Sequence, residues 1–123
     1  MHVRRRIRVS SSDMNIFIEN TVSATAYVVT GALAMITAEV PIRNQEEVSV
    51  EFSVYDQVVE PSGAIVTTTE TRYRLGPGAC ETILDELLRV KDPKNMLEGY
   101  KLRVLLRVGE EFVDTKEVEI VQG

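Results

Sequence analysis

The sequence predicts an all-β fold, a sandwich of two antiparallel sheets with about seven to nine strands. Two observations carry this prediction. Apolar residues alternate with polar ones along most of the chain, which is the period of a strand with one buried face. Turn-forming residues interrupt the alternation roughly every 8–15 residues, as expected for short strands joined by tight connections. The 123 residues suit one domain, spanning positions 1–123.

The first half of the chain contains four segments with the strand pattern. Residues 3–9 alternate apolar side chains with arginines, so we expect a half-buried strand with a basic outer face. Residues 14–18 and 24–30 fit two short strands. Residues 32–43 alternate more clearly. Pro41 within them indicates an edge position or a bulge, because proline cannot donate a ladder hydrogen bond.

The middle of the chain continues the pattern. Residues 48–54 alternate again, with Val48 as the first inward position, and with the preceding strand they predict a long antiparallel hairpin. Residues 56–63 fit a turn region. The threonine-rich residues 65–75 favour another strand, since β-branched side chains pack well on a pleated surface.

A hairpin closes the chain. Residues 100–108 give a second clear alternation, and residues 112–121 supply the returning strand. Gly109 stands at the first position of the two-residue loop, which suits a type II′ turn.

Residues 81–90 admit two interpretations. Their apolar residues fall at helical spacing with good helix formers between them, which is typical of an amphipathic helix of about ten residues. The pattern alone leaves helix and strand equally open, and Asp92-Pro93 ends either element. The apolar residues concerned are Ile83, Leu84, Leu87 and Leu88.

Composition excludes several classes of protein. The chain has 19 acidic and 14 basic residues, a net charge of -5, which argues against nucleic acid as a partner because phosphate binding needs a basic surface. No apolar run approaches the roughly 20 residues of a membrane-spanning helix, so we predict no membrane partner. A signal-peptide pattern is missing, and the residues leave the compartment open.

A search for chemistry finds no catalytic, metal or cofactor site. Cys80 and His2 are the single residues of their types and lie far apart, whereas metal sites need clustered ligands. We interpret Cys80 as a buried structural thiol. Glu46-Glu47 and Glu110-Glu111 are adjacent pairs that point to opposite faces of a strand. Gly76-Pro77-Gly78 is a turn without a phosphate-binding lysine.

A sugar-binding face is disfavoured as well. Such faces present aromatic platforms, and this chain has no Trp. Tyr27, Tyr55 and Tyr73 can lie on outward faces, but we interpret them mainly as residues packed at sheet or domain contacts. Physical reasoning on the residues therefore ends at a soluble all-β interaction or spacer domain.

Several stretches, in order, resemble the immunoglobulin-like sandwich domain of glycoside hydrolase family two, the β-galactosidases, β-mannosidases and β-glucuronidases. Most specific are residues 90–97, Val-Lys-Asp-Pro-Lys-Asn-Met-Leu, which are followed by Tyr-Lys-Leu-Arg-Val at 100–104 and Gly-Glu-Glu-Phe-Val-Asp at 109–114. The family often has Trp where Met96 or Leu97 stands, so this chain departs from it there.

The resemblance implies a non-catalytic linker module between a jelly-roll sugar-binding domain and a catalytic barrel of one parent glycosidase. The family's catalytic glutamates lie on the barrel, so no catalytic residue is carried over. The resemblance also favours a strand at 81–90, and it suggests interdomain contacts at Met96, Leu97 and Tyr100. The alternatives are a free-standing immunoglobulin- or fibronectin-like interaction domain and a carbohydrate-binding sandwich.

Overall fold

A computed structural model describes residues 14–123, and the predicted strand at residues 3–9 lies outside them. The described chain is all-β, with one short 3-10 turn, Lys94–Leu97, between the sixth and seventh strands. The strands are β1 (Ile16–Ile18), β2 (Ser23–Val29), β3 (Leu33–Asn44), β4 (Val50–Val59), β5 (Ile65–Leu75), β6 (Cys80–Lys91), β7 (Lys101–Val108) and β8 (Glu111–Gln122).

Hydrogen bonding joins all eight strands into one continuous sheet, where the sequence predicted two separate ones. β3 lies between β6 and the pair β1 and β2, while β4 lies between β5 and β7. β8 connects these groups: it is antiparallel to β7 through Glu119, and its residues 120–122 then run parallel to β2. β8 can pair with both strands because it has 12 residues, whereas β7 has only eight.

One hydrophobic core receives side chains from all eight strands. On β3 the even-numbered residues from Ala34 to Ile42 are buried, and on β7 Leu102, Val104 and Leu106 are buried. β3 and β7 are not hydrogen-bonded to each other, yet both contribute to this one core. The sheet therefore curls so that their inner faces meet. Each buried Val, Leu or Ile contributes about 1.5–3 kcal/mol.

The predicted hairpin of residues 32–43 with 48–54 is wrong: β3 and β4 do not pair. The chain instead crosses from one group of strands to the other. Asn44, fully buried, holds this crossing: its Nδ2 donates to the carbonyls of Val48 (3.0 Å), Leu75 (3.1 Å) and Gly76 (3.0 Å). Val48, predicted to point inward, is 63% exposed because it precedes β4.

Residues 81–90 form a strand, β6, as the resemblance favoured. The helical spacing has a local cause. Ile36 pairs with Leu88 and Ala38 with Asp85, so Glu86 and Leu87 together face Thr37 across a β-bulge. Before the bulge the odd-numbered residues of β6 face the core, as buried Ile83 shows. After it the even-numbered residues do, as buried Leu88 shows. An extra residue between two inward positions therefore imitates a helix in the sequence.

The closing hairpin is confirmed. Val108 pairs with Glu111, and the loop between them is Gly109-Glu110. Gly109 has φ +62°, whereas Glu110 is not among the residues with positive φ. Positive φ at the first loop position alone is the signature of the predicted type II′ turn.

Candidate interdomain surface

The connection between β6 and β7 is the most strained backbone of the described residues. The four non-glycine residues with left-handed φ in that part of the chain all lie here: Asp92 (+49°), Asn95 (+51°), Met96 (+54°) and Leu97 (+70°). Each such residue costs of the order of 1–3 kcal/mol, and the conformation persists only where the surroundings hold it.

Four contacts hold this loop. Tyr100 is buried in the core, and its hydroxyl accepts a hydrogen bond from the Lys94 backbone amide at 3.0 Å. The side-chain amide of Gln122 donates to the Met96 carbonyl at 2.7 Å. Lys94 Nζ lies 3.5 Å from Glu60 Oε1. Leu97 is buried in the core as a further anchor.

The three residues that the resemblance suggested for interdomain contacts thus fall in one loop with different exposure. Leu97 and Tyr100 are 3% and 2% exposed, so their side chains belong to the core of this domain. Met96 is 47% exposed and presents free apolar area. Of the three, Met96 is the residue that a neighbouring domain can reach.

The end of β8 lies beside this loop. Besides the contact of Gln122 with Met96, the Gly123 amide donates to the Ala26 carbonyl at 2.9 Å. The last described residues therefore leave the fold between the loop and β2.

A larger apolar surface lies on the outer side of β6, β3, β2 and the end of β8. We call it the outer apolar face and define it by Tyr27, Leu84, Leu87 and Val121, which are 47%, 56%, 61% and 62% exposed. Strand pairing places these residues on one side of the sheet: Leu84 pairs with Glu39 on β3, and Thr25 on β2 pairs with both Thr37 and Val121.

The β6 bulge shapes the middle of this face. The Tyr27 hydroxyl donates to the Glu86 carbonyl at 2.9 Å, so the tyrosine reaches across β3 from β2 to β6. A shallow groove of about 550 Å³ lies alongside, lined by Thr25, Tyr27, Thr37, Glu86 and Leu87. Sequence reasoning missed Leu84 and Leu87 as surface residues, because their spacing suggested the buried stripe of a helix.

The outer side of β5, β4 and β7 has a different character. The Arg107 guanidinium lies between two partners. Its Nη2 is 3.7 Å from Glu70 Oε2, and its Cζ is 5.2 Å from the centroid of the Tyr55 ring. Three further ion pairs cross this side, and such exposed pairs are typical of a solvated surface. They are Arg72–Glu70, Arg74–Glu51 and Arg103–Glu117.

The described residues offer little for catalysis. No three His, Cys, Asp or Glu side chains between positions 14 and 123 are grouped so as to hold a metal ion. Cys80 is exposed at the start of β6, so the prediction of a buried thiol is wrong. Desolvation and a hydrogen bond to Glu19 raise the pKa of its thiol, which disfavours the nucleophilic thiolate. Within the same residues, no helix has the length and apolarity needed to cross a membrane.

Comparison with known proteins identifies the fold. No family model and no curated protein matches the sequence. A β-glucuronidase from glycoside hydrolase family 2 matches with TM-score 0.72 and 19% identity, over 83% of this chain and 12% of that one. A Bacteroides uniformis β-glucuronidase matches with TM-score 0.75 and 16% identity, over 84% and 14%. The Pseudomonas fluorescens alkylpurine DNA glycosylase AlkC, bound to DNA, matches with TM-score 0.53 and 18% identity, over 87% of this chain and 30% of that one.

These matches confirm, at the level of the fold, the resemblance read from the sequence. The chain has the fold of a small part of multidomain family-two glycoside hydrolases, and it spans about an eighth of the length of the two β-glucuronidases. The weaker match to a DNA glycosylase shows that a related fold serves another chemistry. Fold alone therefore does not carry over an activity.

Proposed function

We propose that this chain is a non-catalytic, immunoglobulin-like sandwich module that links other domains within a family-two type glycosidase. The observation that carries the proposal is the fold match itself: nearly the whole described chain superposes on a segment of 12–14% in much longer hydrolases. The parent enzyme would hydrolyse O-glycosidic bonds in carbohydrate metabolism, and its chemistry would lie on other domains.

The carboxylates support a non-catalytic role. Hydrolysis of a glycoside by the usual route needs two carboxyl groups flanking an accessible sugar. The acidic pair within the described fold, Asp56 and Asp85, does not offer this, because Asp56 is 2% exposed and points into the core. A sugar ring cannot reach it without unfolding the domain.

The outer apolar face and Met96 supply the contact surface for the linking role. Contiguous exposed apolar area on a soluble domain marks a surface that another protein surface covers. Here that area lies beside the end of β8, where the Gly123 amide donates to the Ala26 carbonyl. The partners we propose are the jelly-roll and barrel domains of the same parent chain.

A pair of charge substitutions tests this assignment. We expect Leu84→Asp with Leu87→Asp to leave the melting temperature of the isolated chain nearly unchanged, since both side chains are already exposed. In the full polypeptide, the same change should lower the melting temperature and speed proteolysis between domains, because each buried leucine contributes about 1.5–3 kcal/mol. Val48→Asp is the matched control, equally exposed but outside the face.

The outcome that contradicts the proposal is equal behaviour of the double variant and Val48→Asp in the full polypeptide. The reading frame provides an independent check: a preceding jelly-roll and a following barrel with two catalytic glutamates support the parent enzyme. A frame that encodes neither leaves the alternative of a free-standing interaction domain. Hydrolysis of nitrophenyl β-glycosides by residues 1–123 alone would also overturn the non-catalytic role.

A further inference from the structure

The buried carboxyl group of Asp56 faces the half-buried carboxyl group of Asp85. Asp56 lies at an inward position of β4 between buried Val54 and Val58, and it is itself 2% exposed. Asp85 points inward from β6 because it precedes the bulge at Glu86. Thr69, which lies opposite Asp56 on β5, donates its hydroxyl to Asp85 Oδ2, so both carboxyl groups lie beside the same threonine, whereas Asp56 Oδ1 has no hydrogen-bond partner.

These acids lie where the curled sheet is not closed by backbone hydrogen bonds. Among the strands that the structure describes, β5 pairs only with β4, and β6 only with β3. Side chains span the gap between β5 and β6, which we call the seam. Thr67 Oγ1 donates to the Arg89 carbonyl at 2.7 Å, and Thr69 Oγ1 donates to Asp85 Oδ2. On the opposite side, the backbone of β8 joins the two groups of strands.

The surroundings of Asp56 favour its neutral form. Ionised carboxylates only accept hydrogen bonds, so two of them in contact need a proton between them. Across the strand pairs, Asp56 faces Thr69 on β5 and Val104 on β7, which are uncharged. Asp85 is the charged group that acts on it among the described residues; burial first, and then Asp85, raise the pKa of Asp56 to about 7.

We propose that Asp56 and Asp85 share a proton and form a pH-sensitive latch that closes the seam between β5 and β6. Loss of the shared proton places two like charges face to face inside the core. β6, which pairs with β3 alone among residues 14–123, then separates from β4 and β5 before the rest of the fold opens.

The direction of the pH effect follows from linkage. An unfolded aspartate loses its proton near pH 4, whereas the folded pair keeps it to about pH 7. The folded state therefore binds more protons between these values, and stability falls as pH rises through that interval. The loss of stability is complete above about pH 7, where the carboxyl group is ionised in both the folded and the unfolded state.

Urea unfolding at pH 5 and pH 8 tests the latch, with three variants for comparison. We expect the unfolding constant of the wild type to rise on the order of 10²-fold between these pH values. Asp56→Asn should remove most of that rise, because its amide donates permanently to Asp85. Asp85→Asn should behave similarly. Glu81→Gln, an exposed change on the same strand, should keep the full rise.

Amide hydrogen exchange separates local from global opening. The latch requires that β6 amides lose protection between pH 6 and pH 8 by at least tenfold more than β3 and β7 amides, after correction for intrinsic rates. If β6 loses protection only in step with the whole domain, the local latch is overturned. The shared proton is overturned if the unfolding constant of the wild type does not change between pH 5 and pH 8. It is also overturned if this constant changes equally with pH in Asp56→Asn and Glu81→Gln.

Carboxyl carbon NMR covers the case in which the variants do not fold. In the wild type, the carboxyl carbon of Asp56 should titrate with an apparent pKa near 7. Titration of the Asp56 carbon near pH 4 would contradict the proposal without any substitution.

Discussion

Asn44 shows how one residue can fix a connection that the alternation pattern cannot. Its amide group contacts three carbonyls, and its Oδ1 accepts from the Glu46 amide at 2.9 Å. These bonds tie the crossing from β3 to β4 to the turn that follows β5. An asparagine at the end of an alternating stretch looks like an ordinary turn residue, so the sequence did not reveal this role.

Replacing Asn44 by Ala should destabilise the domain by about 2–4 kcal/mol, since buried carbonyls lose their donor. Asn20→Ala, at an exposed turn position, is the control and should change stability by less than about 0.5 kcal/mol. Chemical denaturation of the two variants measures the difference. A similar loss from both would show that the Asn44 hydrogen bonds add nothing specific.

Asp56 is a second residue whose role the sequence did not reveal. The sequence placed it at the start of a turn, whereas β4 continues through Val59. An acidic residue at an inward position contradicts the rule that core positions are apolar, and only the opposing Asp85 explains it. No pattern in one sequence indicates that two such distant positions meet.

Among the strands, β6 shows why periodicity misleads. Its apolar residues follow two registers, one on each side of the bulge, and a single alternation cannot describe them. The long, regular alternations of β3 and β7 were predictable because no bulge interrupts their inward residues. Which strands pair was less predictable, because pairing depends on distant partners, as the absent hairpin of β3 with β4 demonstrates.

The bulge leads to a prediction about single-residue deletions. Removing Leu87 should convert β6 into a regular strand with all its inward residues retained, changing stability by about 1 kcal/mol or less. Removing Arg89 instead turns Val90, now 2% exposed, toward solvent and should cost about 1.5–3 kcal/mol. Urea denaturation of both deletions gives the order, and the reverse order would show that the bulge does not set the register.

For the molecule as a whole, the parallel contact of β8 with β2 decides the architecture. It converts the predicted pair of sheets into one continuous sheet. The strand content and much of the core could be predicted from the sequence, because both follow from local alternation. The bridge could not, because it depends on the difference in length between β7 and β8.

Deleting residues 120–123 should therefore weaken the entire domain and not only its end. Three pairs of the β2–β8 ladder disappear, and partly buried Ile120 is lost from the core. We expect a loss of about 2–4 kcal/mol, from roughly 1 kcal/mol per hydrogen bond together with the apolar area. Removing Gly123 alone is the comparison and should cost only its one hydrogen bond to the Ala26 carbonyl, about 1 kcal/mol. Full stability after the longer deletion would mean that β8 is not a structural bridge.

The same bridge has a mechanical consequence. The chain enters the described fold on β1, where Ile16 faces Asn44 of β3, and leaves it where Gln122 faces Ala26, itself opposite Ile36. Eight residues of β3 separate these levels, about 25 Å at the usual rise of a strand. β1 and β8 run in the same direction, so a force that pulls the two ends of the described fold apart acts along the strands. Such a force loads the β2–β8 hydrogen bonds together in shear, so the described fold should resist extension in this direction.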